Sequence, residues 1–152
     1  MQQTSGRTNP VFYAHSRVGE GSETWERLEW HLRRTGALAR HFGRRFKAGN
    51  TAAASGLLHD VGKYSDEFQR RIAGDAGRVD HATGGAKEAV SQFGKELGML
   101  LAYGIAGHHA GLPDGGSADE RALLSRLQST HIPYGHDRWR PDFPPRIRRN
   151  RH

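Results

Sequence analysis

The apolar residues of the first third of the chain are spaced as one face of a helix. Between Ser22 and Phe46 they are Trp25, Leu28, Leu32, Ala39, Phe42 and Phe46, and with Thr35 included the steps run 3, 4, 3, 4, 3, 4. That rhythm predicts one long helix over 22–46. Ser22 is placed to cap it, and Glu23 and Glu26 fall in the first turn, where the helix dipole favours acids. His31 lies beside Leu28 and Thr35 at the edge of the stripe, pointing toward the margin of the core.

The rest of the chain reads in the same way. A helix rich in Ala and Leu is expected over 51–61, with Gly62 stopping it in a left-handed conformation. Ser65 looks like the cap of a short helix carrying Phe68 and Ile72, and "GDAGRVD" is a loop. A third long helix is predicted over 81–105 from Ala86, Ala89, Val90, Phe93, Leu97, Leu100 and Leu101, and "GHHAGLPDGG" ends it. Ser117 and Glu120 form a capping-box pattern ahead of "RALLSRLQ". Past Thr130 the prolines at 133, 141, 144 and 145 exclude continuous helix. No convincing strand and no internal repeat are visible. The expected architecture is an all-α bundle over 1–130, followed by an irregular Pro/Arg-rich tail over 131–152.

At 152 residues the chain suits one domain with a real core. It has no cysteine, so disulfides and thiolate metal sites are excluded. No apolar run nears the roughly 20 residues of a membrane span. No basic segment leads into an apolar one at the N-terminus, so the expected location is cytoplasmic and no membrane partner is expected. The formal net charge of +7 favours polyanionic partners, nucleic acid above all. After Asp137 the chain carries six arginines against one aspartate, a run that suits either phosphate binding or simple solvation.

Histidine is the sharper anomaly. His31, His59, Asp60, His81, His108 and His109 each fall near a helix end or margin, where several helices can aim side chains at one spot. Imidazole with a little carboxylate suits transition metals better than Ca or Mg. Adjacent helical residues diverge by about 100°, so His59 and Asp60 share one ion only if the backbone distorts there. Two ions are easier, because a carboxylate can bridge. Taken singly, each histidine also fits a packed, hydrogen-bonded side chain, Asp80–His81 fits a helix cap, and Lys63 fits a cation at a helix C-terminus. Together they are hard to explain as independent core residues.

The segments "HDVGKYSDEFQRRI", "DHATGGA" and "GIAGHHAGLPDG", with "YAHS" and "WERLEWHLRRTGALA" ahead of them, resemble in order the motifs of the HD-domain nucleases of type I CRISPR systems. The resemblance covers roughly residues 12 to 115. It implies an HD-type helical bundle with two divalent transition-metal ions (Mn, Fe, Co or Ni). One ion would take His31, His59 and Asp60; the second would take Asp60 as bridge with His81, His108 and His109. Asp60 and Lys63 would be the catalytic residues, with Lys63 near the phosphate, Asp80 orienting His81, and His15 a structural support. The implied substrate is single-stranded DNA, cut in antiviral defence alongside a CRISPR helicase and a guide-RNA complex. Arg146, Arg148, Arg149 and Arg151 are the candidate nucleic-acid contacts of the tail.

The family's HD domain normally continues to a distant aspartate that completes the first site. The chain ends ahead of that segment, and the late candidates Asp137 and Asp142 do not match its motif. A truncated HD domain is therefore expected, with the first ion held weakly, and the phosphate-binding motif of a helicase is absent. Two other readings stand beside the nuclease. One is an HD phosphohydrolase acting on nucleotides or cyclic dinucleotides. The other is a catalytically impaired remnant that binds nucleic acid or a CRISPR partner.

Overall fold

The apolar stripe becomes α1 (Leu28–Gly43), whose buried residues are Leu28, Leu32, Gly36 and Gly43. It crosses α2 (Gly49–Leu58) almost backbone to backbone. A Cβ on Gly56 would stand 2.9 Å from both the Gly36 Cα and the Thr35 carbonyl oxygen, so only glycine permits the crossing. The computed structural model of the chain describes residues 10–116, 119, 121–132 and 138.

Helix α1 starts at Leu28, not at Ser22. Ser22–Thr24 is a single 3-10 turn in which no side chain caps. Glu26–Arg27 forms a short strand, β2, paired antiparallel with β1 (Tyr13–His15). This corrects the expectation of no strands. The reason is the N-terminal segment: the Leu28 amide donates to the Phe12 carbonyl at 2.9 Å, and Trp25 packs edge-on against Tyr13 at 5.5 Å. Residues 25–27 are thereby drawn out beside β1 and cannot coil. The far end of the stripe also departs from expectation, because Phe42 and Phe46 are 58% and 80% exposed.

Helix α2 ends at Leu58, earlier than predicted, and a 3-10 turn over Val61–Tyr64 follows. Gly62 is not left-handed; the positive-φ glycines are Gly19, Gly74, Gly77, Gly94 and Gly111. Its bare Cα instead lets this turn lie against the chain at His81, whose carbonyl any Cβ there would overlap. Ser65 caps α3 (Asp66–Ile72) as expected, its hydroxyl accepting the Phe68 amide at 3.2 Å. Gln69 on α3 then straps β1 down: its amide donates to the Tyr13 and Lys63 carbonyls at 2.9 and 2.7 Å and accepts from the Tyr13 amide at 3.0 Å.

Helix α4 (Ala82–Gly107) is broken at Gly94, where φ is 77° and ψ −172°, a conformation that is essentially glycine's alone. Its two arms fold back on each other, with Gly98 against the backbone of Ala89 and Val90. The break shifts the buried register. Leu97 and Leu100, predicted to be core, are exposed, and Ala102, Ile105 and Ala106 are buried in their place. The last helix, α5 (Leu123–Gln128), inserts Leu123 into the core of Leu28, Leu32, Leu58, Val61, Tyr64 and Ile105. Among the described residues the fold is an all-α bundle with one small strand pair. No helix among the described residues is long and apolar enough to cross a membrane. Ser117, Glu120, Asp137, Asp142, Arg146, Arg148, Arg149 and Arg151 lie outside the described residues.

Candidate metal centre

The chain leaves the α-helix just where the motif "HD" begins. His59 is still helical, but Asp60 turns to φ −117°, ψ 14°. This is the distortion that adjacent ligands require. It brings His59 Nε2 and Asp60 Oδ2 to 3.2 Å, and His31 Nε2, from α1, stands 3.2 Å from the same oxygen. The other oxygen, Oδ1, faces His81 Nε2 at 3.2 Å, from the start of α4, and His108 Nε2 at 3.4 Å, from its end. His109 joins the second group, its Nε2 2.9 Å from that of His81. The two groups, His31–His59–Asp60 and Asp60–His81–His108–His109, share Asp60 alone.

The outer nitrogens explain how the inner ones are oriented. Nδ1 of His59 lies 2.8 Å from the Gly56 carbonyl, that of His108 2.6 Å from Ile105, and that of His81 3.4 Å from Val79. A carbonyl only accepts, so Nδ1 carries the proton and in the neutral ring Nε2 presents a bare lone pair. His59 and His108 use the same device: each ends a helix and bonds back to the carbonyl three residues earlier.

Those lone pairs converge on a carboxylate that is only 2% exposed. Burial pushes the Asp60 carboxyl up, but hydrogen bonds with His108, His31, His59 and His81, formed where a ring carries a proton on Nε2 in place of the lone pair, outweigh it and hold the group well below the usual carboxylate range. Oδ1 has no hydrogen-bond donor among the described residues, although two nitrogens stand within 3.4 Å. Lone pair facing lone pair is unfavourable unless a cation or a proton lies between. His108 is shifted up: burial lowers it, but Asp60 and the Ile105 carbonyl raise it further. His109 is shifted down by burial and by its neighbours His108 and His81. The orphaned oxygen and the nitrogen-rich donor set both fit divalent transition ions.

Lys63 sits inside the fold. Only 4% of its side chain is exposed, and Nζ donates to Asp60 Oδ2 at 2.8 Å and to the Ala14 carbonyl at 3.1 Å. This places the Lys63 ammonium against Asp60, within the site, with little of it open to solvent. The contacts of the Asp80 carboxylate lie at the start of α4 and on Arg126. It caps α4, accepting the Thr83 amide at 3.0 Å and the Thr83 hydroxyl at 2.6 Å, and it pairs with Arg126 at 3.3 Å. His15 on β1 stacks edge-on against His31 at 5.0 Å and is no part of either group around Asp60.

Two contributors escape a reading of the sequence. Glu26 stands 3.3 Å from His31 Nδ1, but the helical stripe assigns it to a first turn. Arg126 joins both ends of α4, donating to Thr83 Oγ1 at 2.7 Å and to the Ala106 carbonyl at 2.9 Å. Nothing in the sequence spacing links Arg126 to residues twenty and forty-three positions away.

A family model described as "HD domain" matches residues 29–131, a span that contains Asp60 and the five histidines gathered around it. No curated protein matches the chain.

Proposed function

The chain belongs to the HD-domain family, and from there we propose that it is a metal-dependent phosphodiester hydrolase that cuts single-stranded DNA in CRISPR interference. The observation that carries the hydrolase reading is the division of Asp60: one oxygen faces His31 and His59, the other His81 and His108. Those two groups, with His109 in the second, would hold two divalent ions. When bound, the ions supply Lewis-acid activation of water and charge neutralisation at the scissile phosphate.

The chain's own residues prepare that chemistry. Helix-end carbonyls keep the Nε2 lone pairs free and fixed in direction. Lys63 holds Oδ2 in place and acts on the site through its charge. The side chains of His31, His59, His81 and His108 are 17, 17, 15 and 20% exposed, enough to meet a substrate from one side. A cleft of ≈ 1110 Å³ opens beside His81 and His109, and its charged lining is mixed, with Arg78, Arg121 and Arg126 against Asp80, Asp114 and Asp119. Its open form suits a polymer better than an enclosed nucleotide. The ordered motifs from "YAHS" to "AGHHAGLPDG" favour the CRISPR setting, a helicase and guide-RNA complex as partners, and a cytoplasmic location.

The test is incubation with Mn, Co or Ni and three substrates: circular single-stranded DNA, free nucleotides and cyclic dinucleotides. Cleavage of the circle is expected. Hydrolysis of the small substrates alone would make the protein an HD nucleotide phosphohydrolase. No hydrolysis by metal-loaded protein would mark an impaired HD module.

A further inference from the structure

Of the four histidines facing Asp60, three rest Nδ1 on a backbone carbonyl. His31 rests it on a carboxylate, Glu26 Oε2 at 3.3 Å, while its Nε2 faces Asp60 at 3.2 Å. The exception belongs to the poorer group: His31–His59–Asp60 has three members where the other has four. Glu26 also precedes the residues matched by the family model, so membership assigns it no role.

Its position is built. The β1–β2 ladder pairs His15 with Glu26, with an irregularity between Tyr13 and His15, and the Leu28 amide on Phe12 starts α1 directly behind it. The other charged neighbours of Glu26, His15 Nε2 and Arg34, each stand at 3.8 Å, farther than His31. His15, Glu26 and His31 could be read as a third metal group, since their ligand atoms lie within 4.8 Å. That would require both nitrogens of His31 to coordinate, and hence a fully deprotonated imidazole. A carboxylate accepting the Nδ1 proton needs no such step.

We infer that Glu26 is the positioning residue of the first metal group. It fixes His31 with the proton on Nδ1, aims Nε2 at the site, and lends the ring negative charge that makes it a stronger donor. The charge offsets what a group with a single carboxylate lacks. This inference rests on the metal-centre reading, and its test separates the two.

Co²⁺ titration by calorimetry and absorption compares the unaltered protein with Glu26→Gln and Glu26→Ala. Expected is a drop of roughly 10- to 100-fold in one of two affinities on Glu26→Ala, smaller on Glu26→Gln, with the other unchanged. Equal weakening of both sites, or no change in a folded variant, would overturn the role of Glu26. Failure of the unaltered protein to bind Co²⁺ would instead overturn the metal centre, and the inference with it. Nitrogen-15 NMR of the histidine rings needs no substitution: a proton on His31 Nδ1 is expected, and a proton on Nε2 alone would contradict the assignment.

Discussion

Asp60 is where cost and function meet. Burying a carboxylate among imidazole lone pairs is unfavourable in itself, and the Lys63 ammonium, 2.8 Å from Oδ2, offsets part of that cost. Asp60→Ala should abolish metal-dependent nicking while circular dichroism stays helical, because both groups lose their shared member. Undiminished cleavage by a folded variant would refute the bridge. Lys63→Met should cost about 3–5 kcal/mol in metal-free protein, the usual result of stripping one partner from a buried pair. Urea unfolding with saturating Mn should recover part of that stability, since the ions then offset Asp60 themselves. An equal effect with and without metal would mean that Lys63 serves packing alone. At this scale the six gathered residues were legible because histidine and aspartate at helix ends have few cheaper explanations. Glu26 was hidden by an apolar spacing that fits a helix equally well, and only pairing with a strand more than ten residues upstream removes it from that helix.

Among the elements, α4 does the most to build the second group, since His81 precedes its first residue and His108 follows its last. The fold-back at Gly94 and the clamp of Arg126 bring the two ends together. A Cβ on Gly62 would overlap the His81 carbonyl, so Gly62→Ala should cost about 1–3 kcal/mol and weaken the group of His81 more than that of His31. Metal titration distinguishes the two, and equal weakening would contradict the local explanation. Asp80 gives a pH signature. Burial raises its carboxyl, but the Thr83 bonds and Arg126 pull it below the ordinary value. A group depressed in the folded state binds its proton more readily when unfolded. Its stabilisation is therefore present at neutral pH and disappears as pH falls through its folded pKa. Asp80→Asn should flatten the acid limb of the stability profile; an unchanged limb would exclude the cap as its source. Helices were legible from periodicity, but their breaks were not. Gly94 reads like any helical glycine, and Gly62 reads like a stop, because close approach to a distant carbonyl leaves no mark in local spacing.

For the whole molecule, much of the positive charge lies on the exposed face of an element that also carries a site residue, since α1 bears His31. Between Glu29 and Asp60 there is no acidic residue, and Arg33, Arg34, Arg40, Arg44, Arg45 and Lys47 are all exposed. Together with the six arginines after Asp137 they make twelve positive charges, more than the net surplus of +7. Removing the chain after Arg138 should weaken single-stranded DNA binding and flatten its salt dependence, by about 0.7 in log–log slope for each phosphate the tail neutralises. An unchanged slope would make the tail a solvated run. The sequence could announce this surplus but not its distribution over the surface, since exposure depends on how α1 and α2 pack. The central claim, two ions sharing Asp60, is tested most directly by electron paramagnetic resonance of protein titrated with Mn²⁺. Expected is the multiline signal of an exchange-coupled Mn pair that grows as the second, weaker site fills and vanishes in Asp60→Ala. Only isolated Mn signals at saturation, or a coupled signal that survives Asp60→Ala, would contradict it.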